Sequence, residues 1–129
     1  GADVDAILGA AEEAARPFSA PTAEMIARAV AEARDGTHPE VTLSRLEGWA
    51  AHEAIAAAAY VVARHPDDLR AALLEAANTP GDCDSIATLA GAILGARLGA
   101  GALPEAWIRE VERTEELRAL ADEAVALIA

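Results

Sequence analysis

The chain has no lysine, no glutamine, one cysteine and very few aromatic residues. All 10 basic residues are arginine. That bias reads as the codon usage of a GC-rich genome and carries no chemistry. With Cys83 alone, no internal disulfide can form, which fits a reducing, cytoplasmic compartment. Aromatics make up 3 % of the chain, whereas apolar residues together make up 53 %. The apolar share is carried by alanine and leucine. Strands favour β-branched and aromatic residues, so their scarcity excludes an all-β fold. The apolar content excludes a disordered chain. A membrane-spanning helix needs about 20 predominantly apolar residues. The nearest run, Ile86 to Leu98, is too short and rich in glycine. Asp3, Asp5, Glu12 and Glu13 at the N-terminus exclude a signal peptide. The chain opens on Gly1 rather than Met, which suggests a piece of a longer polypeptide.

Alanine and negative charge are abundant instead. Against the 10 basic residues stand 22 acidic ones, a formal charge of −12. Such a surface repels phosphate backbones, so a basic nucleic-acid-binding face is not expected. It can serve divalent cations or basic partners. The length of 129 residues suits one domain with a core of its own.

Periodicity predicts helices with short breaks. Asp3 can cap a helix from Val4 to Ala15, ended by Pro17. Thr22 can cap a second, to Arg34, with Met25, Ile26, Ala29, Val30 and Ala33 at helical spacing. Asp35-Gly36 is a stop and Thr37-His38-Pro39 a turn. Val41 to Gly48 allows at most a short helical turn. Trp49 to Arg64 is apolar on nearly every side except at His52 and Glu53, which marks a central helix. His65-Pro66-Asp67-Asp68 opens another helix, to Ala77. Asn78 to Cys83 is a loop, and Asp84 or Ser85 caps a helix to Leu98. Pro104 opens a short helix with Trp107, Ile108 and Val111. Glu115 to Ile128 forms a last amphipathic helix. The expected architecture is all-α and compact, with two apolar helices at its centre and residues 1–129 in one unit.

The loop before the second apolar helix could carry chemistry. Asp82, Asp84 and Ser85 place three oxygen-bearing groups at one helix end. Mg²⁺ and Mn²⁺ take oxygen ligands, and one or two carboxylates suffice when waters and substrate oxygens complete the shell. Gly81 lets the loop turn tightly or lets a ligand approach. The plain reading of the same residues is a helix cap. Ala87, Gly91, Gly95 and Gly99 form a small-residue stripe on which another backbone can pack at about 8 Å. The expected partner is the helix from Trp49 to Arg64. His52 and Glu53 could face the site, although a histidine there is more often a core residue. His38 and His65 abut prolines as turn residues. Trp49 and Trp107 read as core or interface residues. Cys83 has no histidine nearby in sequence to activate it and reads as a bystander.

Asn78-x-x-Gly81-Asp82-x-Asp84-Ser85-Ile86-Ala87 leads into Ala90-Gly91-Ala92-x-x-Gly95-Ala96-x-x-Gly99 and then Leu103-Pro104-x-x-Trp107. This order resembles the C-terminal part of the ADP-ribosylglycohydrolase family, which includes the dinitrogenase reductase-activating glycohydrolase type. The resemblance is good from Trp49 to Trp107 and generic before that. It implies a compact all-α bundle holding two Mg²⁺ or Mn²⁺ ions. It implies hydrolysis of the bond between ADP-ribose and a protein side chain or related acceptor. It also implies that Asp82, Asp84 and Ser85 are metal ligands, that Asp82 and Asp84 are catalytic, and that Asn78 and Gly81 are substrate-binding residues that shape the loop. The family's other ligands lie in a Thr-Asp-Asp motif that is absent here. The only Asp-Asp pair, Asp67-Asp68, follows Pro66. The chain is therefore expected to hold half of the site and to be inactive alone. The other half would be the rest of a longer enzyme or a separate chain. The alternative is a non-catalytic remnant that binds ADP-ribose or a protein.

Overall fold

The computed structural model describes residues 2–128. Eight α-helices follow one another among them: α1 (Val4–Ala15), α2 (Ala20–Arg34), α3 (Pro39–Leu46), α4 (Ala51–Arg64), α5 (Leu69–Ala77), α6 (Cys83–Leu98), α7 (Glu105–Glu110) and α8 (Thr114–Ile128). A single 3₁₀ turn, Ala100–Ala102, joins α6 to α7. There is no strand among the described residues, so the all-α class holds. No helix of the described residues is long and apolar enough to cross a membrane.

The helix ends follow local chemistry that the apolar periodicity alone does not reveal. Ser19, not Thr22, caps α2: its hydroxyl accepts the Thr22 N–H at 3.3 Å, and Pro21 occupies the first turn. Proline suits that place because its missing N–H would be unpaired there anyway. Pro39 likewise starts α3, a helix of 8 residues where at most a short turn was expected. Burial of Thr42, Leu43 and Leu46 stabilises it. The residues from His65 to Asp68 form a turn rather than the start of α5, and the Asp68 carboxylate caps that helix by accepting the Ala71 N–H at 2.9 Å. The helix α4 starts at Ala51, which leaves Trp49 outside it and 71 % exposed.

α4 is the centre of the bundle. From Ala56 to Val62 every residue is buried, and α1, α2, α3, α5 and α6 all pack against this helix. Tyr60 lies fully buried within it, and its hydroxyl donates to the Thr37 carbonyl at 2.6 Å. α6 is central on one side only. Ile86, Ala90 and Leu94 are buried, while Asp84, Thr88, Ala92 and Ala96, one turn apart in succession, face outward. The glycine stripe does not receive α4 as expected. A Cβ on Gly91 would meet Leu73 of α5 at 3.1 Å, and one on Gly95 would meet nothing within 4 Å.

Polar ties hold the periphery. Arg97 at the end of α6 donates to the Ala2 carbonyl and to the Asp67 carboxylate, at 3.0 and 2.8 Å, and so fixes the N-terminus and the α4–α5 turn. Glu32 of α2 accepts from Arg28 at 2.8 Å, and from Thr42 and Arg45 of α3 at 2.7 Å each. Burial pushes the Glu32 carboxyl up, but the three hydrogen bonds and the Arg45 charge together bring it below its ordinary value. A depressed carboxyl stabilises the fold above its unfolded pKa and loses that contribution as pH falls through the folded one. Glu32→Gln is thus expected to cost about 1–2 kcal/mol at pH 7. In urea titrations the gap between variant and parent closes as pH falls below the ordinary carboxyl value of 4.5.

Candidate metal centre

The candidate site is built where two backbone turns meet. α3 ends at Glu47 and Gly48, and Gly48 has φ +84°. The loop after α5 reaches Gly81, with φ +82°. A Cβ on Gly81 would lie 2.1 Å from the Glu47 carbonyl oxygen, so only glycine fits. That same oxygen accepts the Asp82 N–H at 2.7 Å. A Cβ on Gly48 would lie 2.9 Å from Ile86 Cδ1 and 3.5 Å from Asp82 Cβ. The Glu47-Gly48 turn therefore clasps the start of α6, whose Ile86 is anchored in the core.

Asp82, rather than Asp84 or Ser85, stands in the cap position, with Cys83 the first helical residue. Its side chain lies beside Ser85 but outside capping hydrogen-bond geometry. The Ser85 hydroxyl beside it holds its carboxyl below the usual carboxylate range. The Ser85 backbone N–H acts in the same direction, against desolvation. Asp82, Asp84 and Ser85 stand together at the first turn of α6. Asp84 and Ser85 form one wall of an open groove of about 460 Å³. Its other walls are Ala51, Ala54 and Ile55 of α4 with Thr88 and Leu89 of α6.

The donors are all oxygen, the set a hard cation prefers over softer metals. Two carboxylates and one hydroxyl would by themselves fill only part of such a shell. Among the described residues no group of three or more His, Cys, Asp or Glu side chains is placed to hold a metal ion. Asn78 uses its amide to donate to the Leu74 carbonyl at 2.7 Å, and Gly81 is packed on Glu47. Both are placed to shape the loop. Cys83 is half-buried. His52 is exposed on the first turn of α4 rather than in the core, while the Glu53 carboxylate accepts the Ala50 N–H at 3.1 Å and steadies that turn. His38 Nδ1 accepts the Glu40 N–H at 3.3 Å, and His65 lies 2.9 Å from the Glu75 carboxylate. Trp107 is half-buried, with the Arg70 guanidinium 5.9 Å from its ring centre. Sequence reasoning missed Glu47 and Gly48. A glycine after an apolar helical turn signals a helix end, but nothing in one sequence pairs it with Gly81.

Comparison with known proteins adds the family. The model of the ADP-ribosylglycohydrolase family matches residues 1–129, well beyond the segment from Trp49 to Trp107. ADP-ribosylhydrolase ARH3 of Homo sapiens is 37 % identical over 95 residues, which is 66 % of this chain and 26 % of the human protein. The Mus musculus protein of that name is 36 % identical over 99 residues, 68 % of this chain and 27 % of its own length. The chain thus spans about a quarter of the length of the curated relatives it matches. No solved structure matches it. The family match over the full length, together with the carboxylate pair at the head of α6, leads to one conclusion: the chain belongs to the ADP-ribosylglycohydrolase family.

Proposed function

We propose that this chain forms one half of the divalent-cation site of an ADP-ribosyl hydrolase. The reaction is hydrolysis of the bond between ADP-ribose and a protein side chain or related acceptor. The observation that carries the reading is the juxtaposition of Asp82, Asp84 and Ser85 at the start of a core-anchored helix, in a chain of this family.

Asp82, Asp84 and Ser85 would hold Mg²⁺, with two ions in the complete site and Mn²⁺ able to replace them. When bound, the metal would polarise the distal ribose hydroxyls and position a water. The Ser85 hydroxyl favours the charged form of Asp82, the form that holds a cation. Asp84 lies on the open groove, where its carboxylate can accept or return a proton during bond cleavage. Asn78 and Gly81 serve the substrate through the shape of the loop. The remaining ligands come from polypeptide outside this chain that carries Thr-Asp-Asp. By itself the chain binds metal weakly and is inactive. A cytoplasmic location belongs to the same reading, because the single cysteine needs no oxidising compartment.

The test is release of ADP-ribose from an ADP-ribosylated protein by the complete enzyme. Chelation with EDTA should abolish release, and Mg²⁺ or Mn²⁺ should restore it. Release that persists in EDTA would overturn the metal reading. Binding of ADP-ribose without release at any metal concentration would identify a non-catalytic module instead.

A further inference from the structure

The groove beside Asp84 continues past the carboxylate pair. Thr88 stands one helical turn beyond Asp84, about 6 Å along the axis of α6, and lines the same groove. The rest of the lining is apolar. Ile55 and Leu89 are packed against the core, and Ala51 and Ala54 carry no polar side-chain atom. After Asp84 and Ser85, the Thr88 hydroxyl is therefore the one side-chain group lining the groove that can hydrogen-bond. That hydroxyl is exposed and unspent. A threonine in a helix often bonds a carbonyl of the preceding turn. The other threonines within helices are all engaged: Thr22 donates to the Ser19 hydroxyl, Thr42 to Glu32, and Thr114 to the Ile108 and Val111 carbonyls. Among the described residues the Thr88 hydroxyl has no such partner.

The chemistry of the groove selects which part of the substrate lies there. The inference rests on the hydrolase reading, in which the metal end of the groove holds the distal ribose. The diphosphate is an anion and calls for arginine or lysine. No arginine lines this groove, and Asp84 at its head repels an anion. The adenosine is uncharged, but it is joined to the distal ribose through the diphosphate. The acceptor is bonded directly to the ribose carbon at which cleavage occurs, so it is the first group beyond the metal-held ring. We propose that the groove receives the acceptor and that the Thr88 hydroxyl hydrogen-bonds it. A hydroxyl both donates and accepts, which suits an amide, a hydroxyl or a guanidinium. Ile55 and Leu89 cover the aliphatic carbons of the acceptor side chain. Thr88 is thus a substrate-contacting residue one turn from the metal ligands, not one of them.

Thr88→Val in the complete enzyme tests the proposal, because it keeps the shape and removes the hydroxyl. KM for an ADP-ribosylated peptide should rise about ten-fold while kcat changes by less than about two-fold, the pattern for loss of one hydrogen bond made equally in ground and transition states. Thr88→Ser should bring KM back to within about two-fold of the parent. Free ADP-ribose lacks the acceptor, so its inhibition constant as a product should be the same in Thr88→Val and parent. The Mg²⁺ concentration for half-maximal rate should be the same as well. The melting temperature should not fall, since the bundle does not use this exposed hydroxyl. An unchanged KM in Thr88→Val would overturn the proposal. Weaker inhibition by ADP-ribose would place Thr88 on ADP-ribose itself, and a raised Mg²⁺ requirement would make it a metal ligand; either would overturn the proposal too. A parent enzyme that releases no ADP-ribose would instead overturn the hydrolase reading, and this inference with it.

Discussion

Gly81→Ala is expected to destabilise the chain by about 3 kcal/mol, the sum of left-handed backbone strain and forced displacement of neighbouring atoms. At this chain length that is a fall of roughly 10 °C in melting temperature. The added methyl would sit 2.1 Å from the Glu47 carbonyl oxygen and 2.8 Å from its carbon, at a residue with φ +82°. The obstacle is backbone, so no rotamer change relieves it. The Asp82 N–H bonded to that carbonyl must move as well. Gly95→Ala on α6 is the matched control. A Cβ there meets nothing within 4 Å, so this change should stabilise by up to about 1 kcal/mol through helix propensity. Thermal and urea unfolding of the two variants checks both signs. If Gly81→Ala were as stable as the parent, the clasp between Glu47 and Gly81 would not exist in solution.

The second large effect falls on activity. Asp84→Ala in the complete enzyme should lower kcat/KM for ADP-ribose release by at least about 100-fold, the scale for loss of a group that acts in the transition state. Its stability should change by less than about 1 kcal/mol, as for any exposed first-turn residue. Asp82→Ala should behave alike, since the Asp82 side chain makes no capping hydrogen bond whose loss would unravel α6. A cap residue gives the opposite outcome, with stability lost and hydrolysis retained. Measuring kcat/KM and the urea midpoint on the same variants separates the two.

The helices themselves were legible because alanine and leucine recur at helical spacing in each. Their ends were less so. Ser19 and Thr22 are both good caps, and the choice rests on how Pro21 fits the first turn. The short helix α3 carries a weak apolar pattern by itself and forms because Thr42, Leu43 and Leu46 are buried in the bundle. The glycines of α6 signalled close packing, but the expected partner α4 is not what they meet: a Cβ on Gly91 would meet Leu73 of α5, and one on Gly95 would meet no neighbour. The site was readable as a spacing of oxygen-bearing residues. The support beneath it was not, because Glu47 and Gly81 are distant in sequence and meet only through the packing of α3 and α6 around α4. The uniform apolarity of α6 suggested full burial, whereas its outward row from Asp84 to Ala96 lies open.

The central claim is that Asp82, Asp84 and Ser85 hold a divalent cation, and Mn²⁺ added to the isotopically labelled chain tests it most directly. Paramagnetic broadening falls off steeply with distance and reports where the ion sits. The account predicts that substoichiometric Mn²⁺ first broadens the amides of residues 81–89 and 51–55, and that Asp84→Ala removes the effect. Broadening spread evenly over the acidic surface of α7 and α8, unchanged by Asp84→Ala, would contradict it.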